Sequence, residues 1–131
     1  MLSEAAYSLI DGLTKASVKR LIVMGGASSF EVVSGALLHD SPRFNPAWRP
    51  IALAHADLLK IYRTANLDWT YFSPADVIMP GERTGKYHVD FEQLLTDENG
   101  KSFISAGGFS VAILDEFKAG CYVRHRVTMA Y

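Results

Sequence analysis

Residues 18–24, VKRLIVM, run directly into Gly25-Gly26, and this junction constrains the fold more than any other stretch. β-Branched and apolar side chains succeed one another without clean alternation. That is the pattern of a strand covered on both faces, which favours a parallel sheet. Two glycines at its carboxyl end let the backbone turn sharply, or let a ligand approach it closely. On the residues alone, both uses of RLIVMGGASSFEV, residues 20–32, stay open.

A pyrophosphate-binding turn is excluded. The dinucleotide fingerprint needs GxGxxG directly after a first strand and opening a helix, with an acidic residue on the next strand. Gly25-Gly26-Ala27-Ser28-Ser29-Phe30 has the wrong glycine spacing, and a helical segment precedes it. The chain then enters a proline-rich loop, with Phe44 and Trp48 set among Pro42, Pro46 and Pro50. A P-loop fails too, because the glycines lead into no GKS or GKT.

The rest of the chain supplies strand-helix alternation. Residues 3–16 place Ala6, Leu9, Ile10 and Leu13 on one helical face, with Ser3 as the candidate cap. A short helical piece is expected near Val32 to Leu37, and a clear helix over 51–65, where Ala54, Leu58, Ile61 and Tyr62 share a face with Ile51. WTYFS (69–73) reads as the next strand and Pro74 ends it. Further strands are expected near 86–89 and over 102–105, with a helical turn at 91–95 and a helix over about 109–118. The final strand, 121–130, carries charges that point to a sheet edge or a half-exposed face. Two strand-helix units plus a terminal strand make an α/β pattern in one domain.

Composition narrows the partners. Thirteen basic against fourteen acidic residues give a formal charge of -1, no support for a broad nucleic-acid or membrane surface. One cysteine, Cys121, excludes an internal disulfide framework, and its neighbours point to an inert, partly buried thiol. The chain has no signal-peptide pattern, so cytoplasmic residence is the default. His39-Asp40 and His55-Ala56-Asp57 lack metal-site spacing such as HExxH and read as loop or surface groups. No GxSxG elbow and no YxxxK pair occur, so no catalytic residue is assigned and no metal is expected. Ser73-Pro74-Ala75 and the loop Pro80 to Tyr87 leave the carboxyl end of a strand, where α/β sheets place ligands. There Arg83 and Lys86 could neutralise a phosphate or carboxylate, and a plain surface loop is an equal reading.

Leu67-Asp68-Trp69-Thr70, Ser73-Pro74-Ala75, Pro80 to Gly85, Ile104-Ser105 and Arg126-Val127-Thr128 together resemble the NAD(P)-binding, NmrA-like branch of atypical short-chain dehydrogenases. That branch includes NADH-flavin reductase-like and NAD-dependent epimerase-like proteins and is related to biliverdin reductase B. Arg20 to Phe30 resembles the family's fifth-strand segment. The resemblance covers the whole chain but begins partway through the family fold. It implies the C-terminal part of an NAD(P)-binding Rossmann-like domain, an incomplete parallel sheet with flanking helices that lacks the N-terminal mononucleotide-binding half.

By the same resemblance, Gly25, Gly26, Ala27, Ser28, Ser73, Pro74 and Ala75 are expected near the reactive end of an NAD or NADP cofactor. Arg83, Lys86 and Tyr87 fall on the substrate side, facing a small molecule. Two departures stand out: Ser28 replaces a glycine, and Gly108 stands where relatives have a capping Asp, which predicts a looser helix start. The expected consequence is a truncated oxidoreductase-like domain, weak or inactive alone. Its exposed edge at 19–24 would be covered by another copy or by a separately encoded N-terminal half. The alternatives are a complete reductase once that half is present, or a non-catalytic small-ligand binding or interaction module.

Overall fold

The computed structural model describes residues 1–33 and 35–131. Helix α1 (Leu2–Lys15) turns its apolar stripe inward, burying Ala6 and half-burying Ile10. Met1, not Ser3, occupies its N-cap position, and no side chain caps it. The helix stops at Ser17, whose φ of 58° lies in the left-handed region. Val18 N–H then reaches back to the Leu13 carbonyl at 2.9 Å, closing a Schellman-type end.

Strand β1 (Arg20–Met24) comes next and ends at the glycine pair. Beyond it the chain forms a small hairpin, β2 (Glu31–Val33) with β3 (Ala36–Leu37). This replaces the helical piece expected at Val32 to Leu37; residue 34 lies outside the described residues. Two 3-10 turns, Leu38–Asp40 and Pro46–Trp48, carry the proline-rich segment into helix α2 (Arg49–Thr64). Strand β4 (Asp68–Phe72) then pairs parallel with β1, Arg20 opposite Asp68 and Met24 opposite Phe72.

The next segment holds strands β5 (Val77–Met79), β6 (His88–Asp90) and β7 (Phe103–Ser105), then helix α3 (Ala106–Ala119) and strand β8 (His125–Ala130). The main sheet runs in the order β1-β4-β8-β6, parallel except that β6 is antiparallel to β8. Strands β5 and β7 form a separate parallel pair. No helical turn forms at 91–95, where Glu31 instead bridges to Gln93.

Strand alternation divides the core. Trp69 and Tyr71 of β4, with Leu21 and Val23 of β1, pack against α1 and the Leu58, Leu59, Ile61 and Tyr62 face of α2. Phe72, Val127 and Met129, with Ile22, pack on the other face against Phe109 and Ala112 of α3. Because β8 has a neighbour on both sides and is buried from Arg126 to Ala130, it is neither the sheet edge nor the half-exposed face that its charges implied. The charge of Arg126 is accommodated by partners distant in sequence. Its guanidinium donates to Glu92 Oε2 (2.6 Å), Ser29 Oγ (2.7 Å) and the Phe91 carbonyl (3.2 Å), and stacks 4.1 Å from the Phe30 ring centroid.

A second buried charge ties the opposite face. Glu116 of α3 is 3% exposed and accepts from Arg20 Nη2 at 2.8 Å. The same carboxylate takes the Cys121 and Tyr122 backbone N–H groups, while Arg20 Nη1 donates to Thr70 Oγ1 and the Asp68 carbonyl. One ion pair thus joins β1, β4, α3 and the turn into β8. Cys121 itself is exposed, not partly buried, because only its backbone is drawn into this network.

Helix α3 begins earlier than expected, with Gly107 and Gly108 inside its first turn. Ser105 Oγ accepts the Gly108 N–H at 2.9 Å, so the start is capped despite the glycine at 108. The glycine has a different use: a Cβ there would run into the Tyr131 hydroxyl.

Candidate functional site

The two loops singled out in the sequence leave the carboxyl ends of adjacent parallel strands, β1 and β4, and so lie side by side. Gly25 N–H donates to the Phe72 carbonyl at 2.7 Å, extending the strand pairing by one bond. Gly25 is buried, and the space its missing side chain leaves is filled by the Tyr71 ring. Tyr71 donates its hydroxyl to the His55 carbonyl at 2.9 Å, and burial pushes its pKa up to about 12. Gly25 therefore serves the packing of a tyrosine. Gly26 lies against α2, where an added Cβ would stand 3.3 Å from His55 Cβ.

Ser28 is buried and donates to the Ala52 carbonyl at 3.3 Å, while its own carbonyl takes the His39 N–H. The serine at this position thus ties the loop to α2. On the neighbouring loop Ser73 is 0% exposed and Ala75 is buried, so Pro74 presents the accessible surface there. Of the seven residues expected beside a cofactor, Gly26, Ala27 and Pro74 are partly exposed; the other four support them from beneath.

Several buried polar atoms near these loops have no partner among the described residues. They are Ser73 Oγ, Thr128 Oγ1, and the Nδ1 atoms of His39 and His55. Ser73 and Thr128 come directly after the paired Phe72 and Val127 and so occupy the same level of the sheet. His39, read from sequence as a loop or surface group, is buried.

Asp76 and Val77, immediately after Ala75, border a cavity of about 530 Å³. Its apolar lining comes from Leu38, Phe44, Trp48, Val77 and Phe103, with Arg43 and Lys101 as cationic groups. Ser102 shapes this wall by accepting two hydrogen bonds: its Oγ takes the Asp76 N–H and its carbonyl the Val77 N–H, both at 3.0 Å. The sequence pattern that marked this site was the pair of aromatics among prolines, which carried no assignment.

Arg83, Lys86 and Tyr87 do not line that cavity. Arg83 and Lys86 are exposed. Tyr87 donates to Asp115 Oδ2 at 3.0 Å, and burial together with that carboxylate pushes its pKa up to about 12. The loop bearing Arg83 is docked on the start of α3: Ser105 Oγ donates to the Glu82 carbonyl at 2.6 Å, and Tyr131 shares a hydrogen bond with the same serine. Gly107 makes that docking close, since its absent Cβ would lie 3.1 Å from Arg83 Cα.

Proteins of known structure share this architecture. A solved structure provisionally described as an exported protein of Burkholderia pseudomallei superposes with a TM-score of 0.93 and 44% identity, covering 99% of this chain and 64% of its own. A provisionally described epimerase of Bacteroides thetaiotaomicron gives 0.89 and 31%, covering 95% and 59%. A provisionally described NADH-flavin reductase of Streptococcus pneumoniae gives 0.81 and 32%, covering 96% and 63%. The fold is Rossmann-like. The uncharacterized protein YwnB of Bacillus subtilis is 34% identical over 130 residues, 96% of this chain and 61% of YwnB. No protein-family profile matches the chain. The chain therefore spans about three fifths of the length of the proteins it matches. Among the described residues no helix is long and apolar enough to cross a membrane, and no group of His, Cys, Asp and Glu could hold a metal ion.

A nicotinamide cofactor fits these residues at one end only. Gly26, Ala27 and Pro74 offer a narrow, partly exposed surface at the strand ends, and Pro74 leads within two residues into the cavity wall at Asp76. A helix N-terminus directly after a strand, the usual pyrophosphate seat, is lacking after β1 and β4, since long loops intervene.

Proposed function

We propose that these residues form the substrate side and the nicotinamide-proximal wall of an NAD(P)H-dependent oxidoreductase site of the NmrA-like type. The observation that carries this reading is that the Gly26-Ala27 and Pro74 loops leave adjacent parallel strands, and that the second loop runs on from Pro74 into Asp76 and Val77 of the cavity wall. Structural neighbours described as an epimerase and an NADH-flavin reductase support the same chemistry. When bound, NADH or NADPH supplies a hydride. In this reading Gly26, Ala27 and Pro74 bring backbone close to the reactive ring. Leu38, Phe44 and Phe103 exclude water from the acceptor, and Arg43 and Lys101 neutralise an acidic group on it. Arg83 and Lys86 contribute charge at the outer rim. Tyr71 and Tyr87, with pKa values near 12, stay protonated and hydrogen-bonded, so neither is assigned as a proton donor.

The remaining hold on the cofactor comes, in this proposal, from a mononucleotide-binding half outside these 131 residues. Strand β1 supports it: among the described residues only β4 pairs with β1, and Met24 is 57% exposed. A partner strand from a separately encoded N-terminal half, or from a second copy, covers residues 19–24. Alone, the chain turns over weakly or not at all and self-associates. A cytoplasmic location accompanies the reading, testable by cell fractionation.

Fusing the chain behind the N-terminal portion of the Burkholderia relative tests the assignment. The fusion should oxidise NADPH or NADH with an electron-poor aromatic acceptor, and Phe44→Ala should raise KM more than it lowers kcat. A folded fusion that binds no nicotinamide nucleotide would refute it. The cavity within this chain also favours a second reading, a small-ligand module without turnover; ligand binding by a fusion that binds nucleotide but transfers no hydride would support that one.

A further inference from the structure

A second cavity, of about 360 Å³, lies at the amino ends of β4 and β8. Arg63, Arg124 and Arg126 line it, with His125 beside them, Glu92 as the only carboxylate among the described lining residues, and Trp69 and Phe91 as walls. A chain of net charge -1 thus concentrates three guanidinium groups at one concave place. We propose that this cavity is a binding site for a compact multivalent anion of the phosphate class, held by Arg63 and Arg124 over the buried charge of Arg126.

The pairing leaves positive charge over. Glu92 is shared, one oxygen 2.8 Å from Arg63 Nη2 and the other 2.6 Å from Arg126 Nη2. One negative charge therefore serves two positive ones. Arg126, its side chain 2% exposed, directs its other hydrogen bonds to the Phe91 carbonyl and to Ser29. Four of its five N–H groups are thus engaged, and it contributes chiefly field. Burial pushes its guanidinium down from its ordinary value, while the charge of Glu92 pushes back; a second anion acts in the direction of Glu92.

Arg124 supplies donors. Its Nε reaches the Leu67 carbonyl (3.3 Å) and its Nη2 the Asn66 side-chain oxygen (3.2 Å), both neutral acceptors. Asp68 stands 3.9 Å off, outside the cavity lining, so the charge is oriented but weakly compensated. Among the described residues, Nη1 of Arg124 has no hydrogen-bond partner, and Arg63 uses one nitrogen, on Glu92. Two planar forks with spare N–H groups suit the several oxygens of a phosphate better than a chloride ion. The apolar walls strengthen the field by keeping water from one side. This site does not depend on the nicotinamide reading, since it shares no lining residue with the cavity at Val77.

The test uses the 131-residue chain with inorganic phosphate and pyrophosphate, against sodium chloride at matched ionic strength, read by calorimetric titration and by Tm. Both anions should bind saturably and raise Tm beyond the chloride control. R63Q/R124Q should weaken binding roughly tenfold or more, the loss of a charged hydrogen bond, whereas K15Q and K118Q, at exposed lysines outside both cavities, should leave it unchanged. Should the double variant unfold, R63Q alone, at the exposed end of α2, carries the same comparison. Absence of saturable binding beyond chloride, or equal affinity in the arginine variants and the parent chain, would overturn the proposal.

Discussion

The Tyr71 ring occupies the place where a side chain on Gly25 would stand, and its hydroxyl closes onto the His55 carbonyl. A glycine that reads as a ligand-approach residue is thus held by packing between β1, β4 and α2. Gly25→Ala must displace that ring, with an expected loss of about 2–3 kcal/mol from overpacking. Urea unfolding measures it, and G25A/Y71L, which vacates the space, should recover part of the loss.

The buried Glu116 carboxylate satisfies Arg20 and two backbone N–H groups at once. Glu116→Ala leaves them unpaired and should cost about 3–5 kcal/mol. Glu116→Gln, which keeps an acceptor oxygen, should cost less. Denaturant midpoints measure both, and a loss under about 1 kcal/mol for Glu116→Ala would contradict the network's role.

Long-range pairs of this kind are where sequence reading stops. Helices α1 and α2 and strands β1 and β4 were legible because their apolar spacing is local: Leu58, Ile61 and Tyr62 need only a period of 3.6 to declare a face. Arg126 reads as a sign of an edge because its partners, Ser29 and Glu92, are brought to it only by the fold. The strand at Val77–Met79 was hidden between two prolines, and the hairpin at Glu31–Leu37 in a run too short to show a period. At the site, the loops after β1 and β4 were legible from glycine and proline. The cavity was not, since Phe44, Val77 and Phe103 come together from three separate segments.

Ser17 sits in the left-handed region without being glycine. Ser17→Gly relieves that strain at a small cost in unfolded-state entropy, so the variant should be more stable by about 0.5–1 kcal/mol. A thermal melt suffices. Unchanged or lowered Tm would mean that the serine hydroxyl contributes more than its backbone costs.

Three tyrosines held above their ordinary value, Tyr62 (by burial), Tyr71 and Tyr87, govern alkaline stability. Burial pushes Tyr71 up to about 12, and burial with Asp115 does the same for Tyr87. Below the ordinary tyrosine value of 10 both states keep the proton, and the contribution is complete. As pH rises from 10 to about 12, the unfolded chain loses its protons first and stability falls. Tyr131, held below its ordinary value by hydrogen bonding with Ser105 and Thr84, contributes stability as pH rises toward 10, before that fall begins. Tyr71→Phe should flatten the slope without abolishing it, as read from urea midpoints across that range.

Titration of NADPH and NADH into the mass-verified 131-residue chain, monitored by nucleotide fluorescence and calorimetry, tests the central claim most directly. That claim is that these residues hold the reactive end of a nicotinamide cofactor and not its pyrophosphate. The expected result is no saturation below millimolar nucleotide for the chain alone. Submillimolar affinity for either nucleotide in that verified chain would contradict it.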